Sequence, residues 1–203
     1  MLSGTQRTVS PAQGNFMQQS TSTSKEQIER RIARYGELPG TTSAFIDSRL
    51  PGGQKQNFKL VAAGKGIFEN PDMRPAIPVP HNINMSWVLI PPGGGSNLHD
   101  HPGSGAELFI PVDGPLTIYW GDDGEQQTTL QKFDCVSIPE GLMRGFRNDG
   151  DKPVLMLAIV DGGAAGGGSV RWHQSVLERA AQTGLYLDAS GKLAQRVSEG
   201  AEK

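Results

Sequence analysis

Apolar residues cluster along the middle of the chain in short runs, and Gly, Pro, Asn or Asp stands between almost every pair of them. Phe58 to Val61, Met85 to Ile90, Leu108 to Val112, Leu116 to Trp120, Cys135 to Ile138, Gly145 to Arg147 and Val154 to Val160 read as strands. β-branched and aromatic side chains are frequent in them, and each is bounded by turn formers. Asp113-Gly114 between the third and fourth runs predicts a hairpin. Strands this short and this closely spaced suit an antiparallel sandwich or a closed barrel. No segment repeats, so one barrel is expected and not a tandem pair.

Helical periodicity occurs only at the two ends. Lys25 to Tyr35 reads as a helix with Ser24 as N-cap and Gly36 just past its end, and Ile28, Ile32 and Tyr35 share a face that should pack on something larger. Ser175 to Gln182 reads as a second helix stopped at Gly184, and Asp188 to Gly191 as a turn. The expected organisation is a disordered polar leader (1–23), an N-terminal helix and extension (24–56), the barrel (57–160), and a Gly-rich linker with a C-terminal helix and tail (161–203).

Composition narrows the function classes. The 203 residues include 27 Gly and 14 Pro, which favours turns between strands, and a net charge of -2 offers no field to draw nucleic acid. No basic helix-turn-helix pattern is visible, so no nucleic-acid partner is expected. No run approaches the length of a membrane span, and the Ser/Thr/Gln-rich first residues lack the apolar core of a signal peptide, so a cytoplasmic protein without a membrane partner is expected. The single cysteine, Cys135, excludes an internal disulfide and reads as an inert core thiol. Gly93-Gly94-Gly95 has no Lys-Ser/Thr after it, and 162–168 lacks the strand-before, helix-after context of a dinucleotide site, so no nucleotide cofactor is expected.

The chemistry concentrates in His99-Asp100-His101 and in Glu107. Residues i and i+2 of a strand face the same way, so both imidazoles enter one space. Two imidazoles and one carboxylate form the ligand set of a facial triad, which leaves positions open on Fe(II) or a similar ion. His81 reads as a surface residue and His173, beside Trp172, as structural. Trp87, Phe109, Tyr119, Trp120, Phe133 and Phe146 are either pocket or core aromatics.

Gly93 to His101, with Glu107 and Gly114, resembles the first cupin motif, and Pro139 to Asn148 resembles the second. The resemblance implies an all-β fold, a cupin-type antiparallel β-barrel (a double-stranded β-helix or jelly roll) with short N- and C-terminal helices. It implies a divalent metal on His99, His101 and Glu107: Fe(II), or alternatively Mn, Ni or Zn. It also implies chemistry of the Fe(II)-dioxygenase, isomerase or decarboxylase kind on a small organic acid, and a homodimer. Two departures stand out. Five residues separate His101 from Glu107, one more than the motif usually allows, and Arg144 occupies the position of the last metal-binding histidine. A guanidinium stays protonated and does not ligate metal. Two arrangements are open. Arg144 pairs with Glu107 and replaces the metal, leaving a small-ligand sensor or an epimerase-like enzyme with a histidine base. Alternatively the metal stays and Arg144 clamps an anionic substrate, with Arg144 and Glu107 as catalytic residues.

Overall fold

The computed structural model describes residues 24–62, 66–78, 82–161 and 169–196. Two five-stranded antiparallel sheets face each other. The first runs in the order β1 (Gln56–Val61), β2 (Ile83–Ile90), β9 (Val154–Asp161), β4 (Ala106–Pro111), β7 (Val136–Pro139). The second runs β10 (Arg171–Trp172), β3 (Gly95–Asp100), β8 (Arg144–Arg147), β5 (Leu116–Trp120), β6 (Gln126–Leu130). A small hairpin, β11 (Leu185–Leu187) with β12 (Leu193–Gln195), lies outside them. The expected all-β barrel is present.

Alternation decides what faces inward. Along β2 and β4 every second residue is buried: Asn84, Ser86, Val88 and Ile90 on one strand, Glu107 and Phe109 on the other. Val88, Phe109, Ile118, Phe146 and Met156 make the barrel core. Interior polar groups stand on the same face as these apolar ones, which is how a β-sheet places chemistry inside a dry wall.

A second core closes one end of the barrel. Phe45, Ile46, Phe68, Trp172, Val176 and Ala180 pack together, joining the N-terminal extension to α2 (Gln174–Gln182). His173 caps α2 by accepting from the Ser175 amide, and Gly184 (φ +81°) follows its end. β10 pairs with β3, Trp172 standing opposite His99, so the C-terminal segment is built into the second sheet.

Several local expectations are corrected. Leu116 to Trp120 does not form a hairpin with Leu108 to Val112: β4 pairs with β7 and β9, β5 pairs with β6 and β8, and Asp113-Gly114 carries the chain between the sheets. Asp113 there accepts a hydrogen bond from the Leu155 amide at 2.7 Å. The N-terminal helix is only Lys25–Glu29 (α1), capped by Ser24 and Gln27 as a capping box. Ile28 (49 % exposed) and Ile32 (42 %) meet no core, whereas Tyr35 lies over the rings of Phe58 and Trp87. Cys135 is exposed and is not a core thiol, because it precedes β7 and does not take an inward position on it. The leader, residues 162–168 of the linker, and His81 lie outside the described residues. No helix among the described residues is long and apolar enough to cross a membrane.

Candidate metal centre in the barrel

His99 lies near the end of β3 and His101 just past it, and both rings enter the same interior space, with centroids 5.2 Å apart. Glu107, on β4 of the opposite sheet, faces them. One ligand atom from each of the three lies within 4.8 Å of the other two, and all three residues are buried. The longer loop at Pro102 to Ala106 is absorbed in a tight turn: the Ser104 amide and hydroxyl both donate to the His101 carbonyl, at 3.2 and 2.8 Å. Gly103 N–H donates to Glu140 across the motifs at 2.8 Å.

The tautomers follow from the partners. His99 Nδ1 lies 2.7 Å from the Asn97 carbonyl oxygen, and His101 Nδ1 lies 3.0 Å from that of Ser169. A carbonyl only accepts, so both rings donate from Nδ1, and His99 keeps its Nε2 lone pair for the interior. His101 Nε2 faces Glu107 Oε1 at 3.4 Å. Burial first, then the nearby Arg144 charge, pushes His99 well below its ordinary pKa, so its ring stays neutral. Trp172 backs the His99 ring at a centroid distance of 5.0 Å.

Arg144 opens β8 opposite His99, and its side chain is 2 % exposed. Its Nε donates to Glu107 Oε2 at 2.8 Å, its Nη2 donates to the same oxygen, and its Nη1 donates to the His99 carbonyl at 2.8 Å. Burial alone would raise the Glu107 pKa, but the Arg144 guanidinium first, and then His101, outweigh it and hold the carboxyl down at about 2. All three guanidinium nitrogens are therefore engaged with protein, and Arg144 is not among the side chains lining the cavity. The expectation of an anion clamp at Arg144 is corrected on this ground. Its geometry makes it a positioning residue behind Glu107, leaving Oε1 turned to the histidines.

A cavity lies in front of this cluster, walled by residues of both sheets and of the end cap. Of the six aromatics singled out in the sequence, only Phe109 and Phe146 line it, and Phe133 is 68 % exposed. Phe45, Phe68 and Trp172 line it from the end cap. Lys55 and Asn84 also reach it, and neither carries a sequence signal, since a polar residue at an inward strand position looks the same as one facing out. The Lys55 charge is matched by Asp47, 2.9 Å away and fully buried.

Residues 86–160 match the family model of the cupin domain. The barrel has the cupin fold. A solved predicted oxalate decarboxylase from Thermotoga maritima is 15% identical over 64% of this chain and 97% of its own, with a TM-score of 0.50. An oxalate decarboxylase from Lactobacillus farciminis is 20% identical over 71% of this chain and 36% of its own, also with a TM-score of 0.50. A cupin 2 conserved barrel domain protein from Salinispora arenicola is 19% identical over 64% and 84%, with a TM-score of 0.39. No curated protein matches the chain in sequence. At these identities the likeness concerns the cupin fold alone.

The donor chemistry of the cupin cluster fits a divalent first-row ion. Two imidazoles and one ionised carboxylate supply the donor atoms, and each ligand is oriented by a further hydrogen bond.

Proposed function

We propose that this cupin is a metal-dependent enzyme of the dioxygenase-like kind, acting inside the barrel on a small organic acid. The observation that carries the reading is the pair of histidines, each fixed through Nδ1, that converge with Glu107 in one buried cluster. His99, His101 and Glu107 would hold Fe(II), or alternatively Mn, Ni or Zn, which would supply Lewis acidity and, for the redox-active ions, one-electron chemistry.

The chain's own residues do the rest. Glu107, with its pKa near 2, stays ionised at neutral pH, and the two bonds from Arg144 hold it in one orientation. Val88, Phe109, Phe146 and Met156 keep the cavity apolar, which strengthens every charge interaction within it. Charge counting favours an anionic substrate. Glu107 and Arg144 cancel, the His99 ring is neutral, and Lys55 is matched by Asp47, so a bound dication would leave its charge uncompensated until an anion arrives.

Elemental analysis of protein purified without chelator tests this, beside His99→Ala and Arg144→His. Near-stoichiometric metal in the wild type, lost in His99→Ala, is the expected result. A specific observation favours one other reading: the buried Arg144–Glu107 pair already satisfies the carboxylate. In that reading no metal binds, and the barrel is a small-ligand module or uses a histidine as general base. A metal-free wild type together with a metal-loaded Arg144→His would select it.

We also propose that a second copy covers the outer face of the first sheet. Trp87, Leu157 and Ile110 stand in one cross-strand row there, and Met85, Ile159 and Leu108 in the next, all half-buried. Sedimentation velocity should give a dimer that Trp87→Lys converts to monomer.

A further inference from the structure

The cavity wall formed by the first sheet carries a group that no other described residue engages. Asn84 is 3 % exposed and lines the cavity, yet neither its Oδ1 nor its Nδ2 has a hydrogen-bond partner among the described residues. Leaving both halves of a buried carboxamide unpaired costs on the order of 1–3 kcal/mol for each group. Its place is well defined. A Cβ at residue 66 would lie 2.2 Å from Asn84 Oδ1, so the absence of a side chain at Gly66 is what lets the amide sit there. Ser86, two residues on and on the same face, also lines the cavity, and so does Asn57 on the neighbouring strand.

Register relates this wall to the metal ligands. Asn84 pairs with Val160, and Val160 pairs with Glu107, so the three form one inward row across the sheet. Two strand spacings, roughly 10 Å of backbone separation, lie between Asn84 and Glu107. Val160 and Ala158 floor the gap with apolar surface. A ligand bridging the row would have a polar end at the histidines, a small apolar body over Val160, and a second polar edge at Asn84.

We propose that Asn84 is a substrate-reading residue that pairs edge-to-edge with a cis-amide or lactam-like edge. Nδ2 donates to the ligand's C=O, and Oδ1 accepts from the adjacent N–H. A bare carboxylate would leave Oδ1 unpaired, and an ester or ketone would do the same, so the site selects ligands that carry donor and acceptor side by side. The inference deepens the enzyme reading by naming a substrate class, and it rests on that reading's use of the cavity.

The test uses neutral probes, so that it does not depend on metal. ¹H–¹⁵N spectra identify the Asn84 side-chain NH₂ pair by its loss in Asn84→Leu. Titration with 2-pyrrolidinone, which presents N–H and C=O on one edge, should shift that pair. Cyclopentanone, the same ring without the donor, should bind about tenfold more weakly. Asn84→Leu should remove the discrimination and melt no lower than wild type. Equal response to the two probes, an unmoved Asn84 pair, or a melting temperature clearly lowered in Asn84→Leu would each overturn the proposal. A Zn(II) titration in the same spectra reads the metal separately: without binding, the metal reading fails while the Asn84 result stands on its own.

Discussion

Arg144 and Glu107 meet through one carboxylate oxygen: Nε and Nη2 both donate to Oε2, while Oε1 is left facing His101 Nε2 at 3.4 Å. The pair is 2 % and 5 % exposed, so its two charges depend on each other. Removing one partner strands the other in a low-dielectric interior. Arg144→Met should therefore cost about 3–5 kcal/mol in urea unfolding at neutral pH. The double variant Arg144→Met with Glu107→Gln should recover most of that loss. A single-variant cost below about 1 kcal/mol would show that the pair is not the closed unit described here.

Two nearby glycines make opposite demands, and they yield a graded prediction. A Cβ on Gly95 would lie 1.9 Å from the Phe146 carbonyl oxygen, at the point where β3 meets β8. Backbone must move to admit it, and β3 carries His99. Gly93 has open space around it but sits at φ +71°. Gly93→Ala should cost about 1 kcal/mol, the ordinary penalty for a side chain in the left-handed region. Gly95→Ala should cost about 3 kcal/mol or more and weaken metal binding as well. Thermal melts with and without Zn(II) separate the two, and equal costs would contradict the packing described.

The barrel and its charged cluster were legible in the sequence for different reasons. Apolar runs bounded by turn formers marked β2, β4, β5 and β9 almost to their ends, because each buries apolar side chains between short turns. The i, i+2 spacing brought His99 and His101 to one space, as found. β6 was missed because Gln126 to Thr129 is exposed and polar, an edge strand without apolar alternation. The Asp113-Gly114 turn misled because a turn dipeptide does not say whether the next strand stays in the same sheet. Trp172 reaches His99 only through the pairing of β10 with β3, a contact between residues far apart along the chain. Arg144 was correctly placed beside Glu107, but its orientation away from the cavity depends on the His99 carbonyl taking Nη1, which no side-chain pattern encodes.

Phe133 is a local cost that can be relieved. It is 68 % exposed at φ +70°, the one non-glycine residue with positive φ among the described residues. Its amide donates to the Pro111 carbonyl at 2.7 Å, which fixes the turn after β6. The bulk of the ring is useful only to Lys132, whose Nζ lies 4.7 Å from its centroid at the surface. Phe133→Gly should stabilise the fold by about 0.5–1 kcal/mol, because glycine adopts this conformation without the Cβ clash. A destabilised Phe133→Gly would mean that the ring is covered in solution.

Glu69 ties the end cap together and makes its stability depend on pH. Its carboxylate accepts from the Ile46 amide at 2.7 Å and from Trp172 Nε1 at 2.6 Å, joining the N-terminal extension to the segment that backs His99. Burial raises its pKa from 4.5 to about 7, against the lowering effect of those two hydrogen bonds, with Asp47 adding to the rise and Lys55 opposing it. Between those two pH values the folded protein holds this proton more tightly than the unfolded chain does. Stability from this group is therefore full below about 4.5, falls as pH rises to about 7, and is level above that. The span corresponds to about 3 kcal/mol. Urea unfolding at intervals from pH 4.5 to 8 should show the decline in wild type, and the difference between wild type and Glu69→Gln isolates it from the other carboxylates. A Glu69→Gln profile parallel to wild type across this range would show that the group titrates normally and that its two hydrogen bonds fully offset its burial.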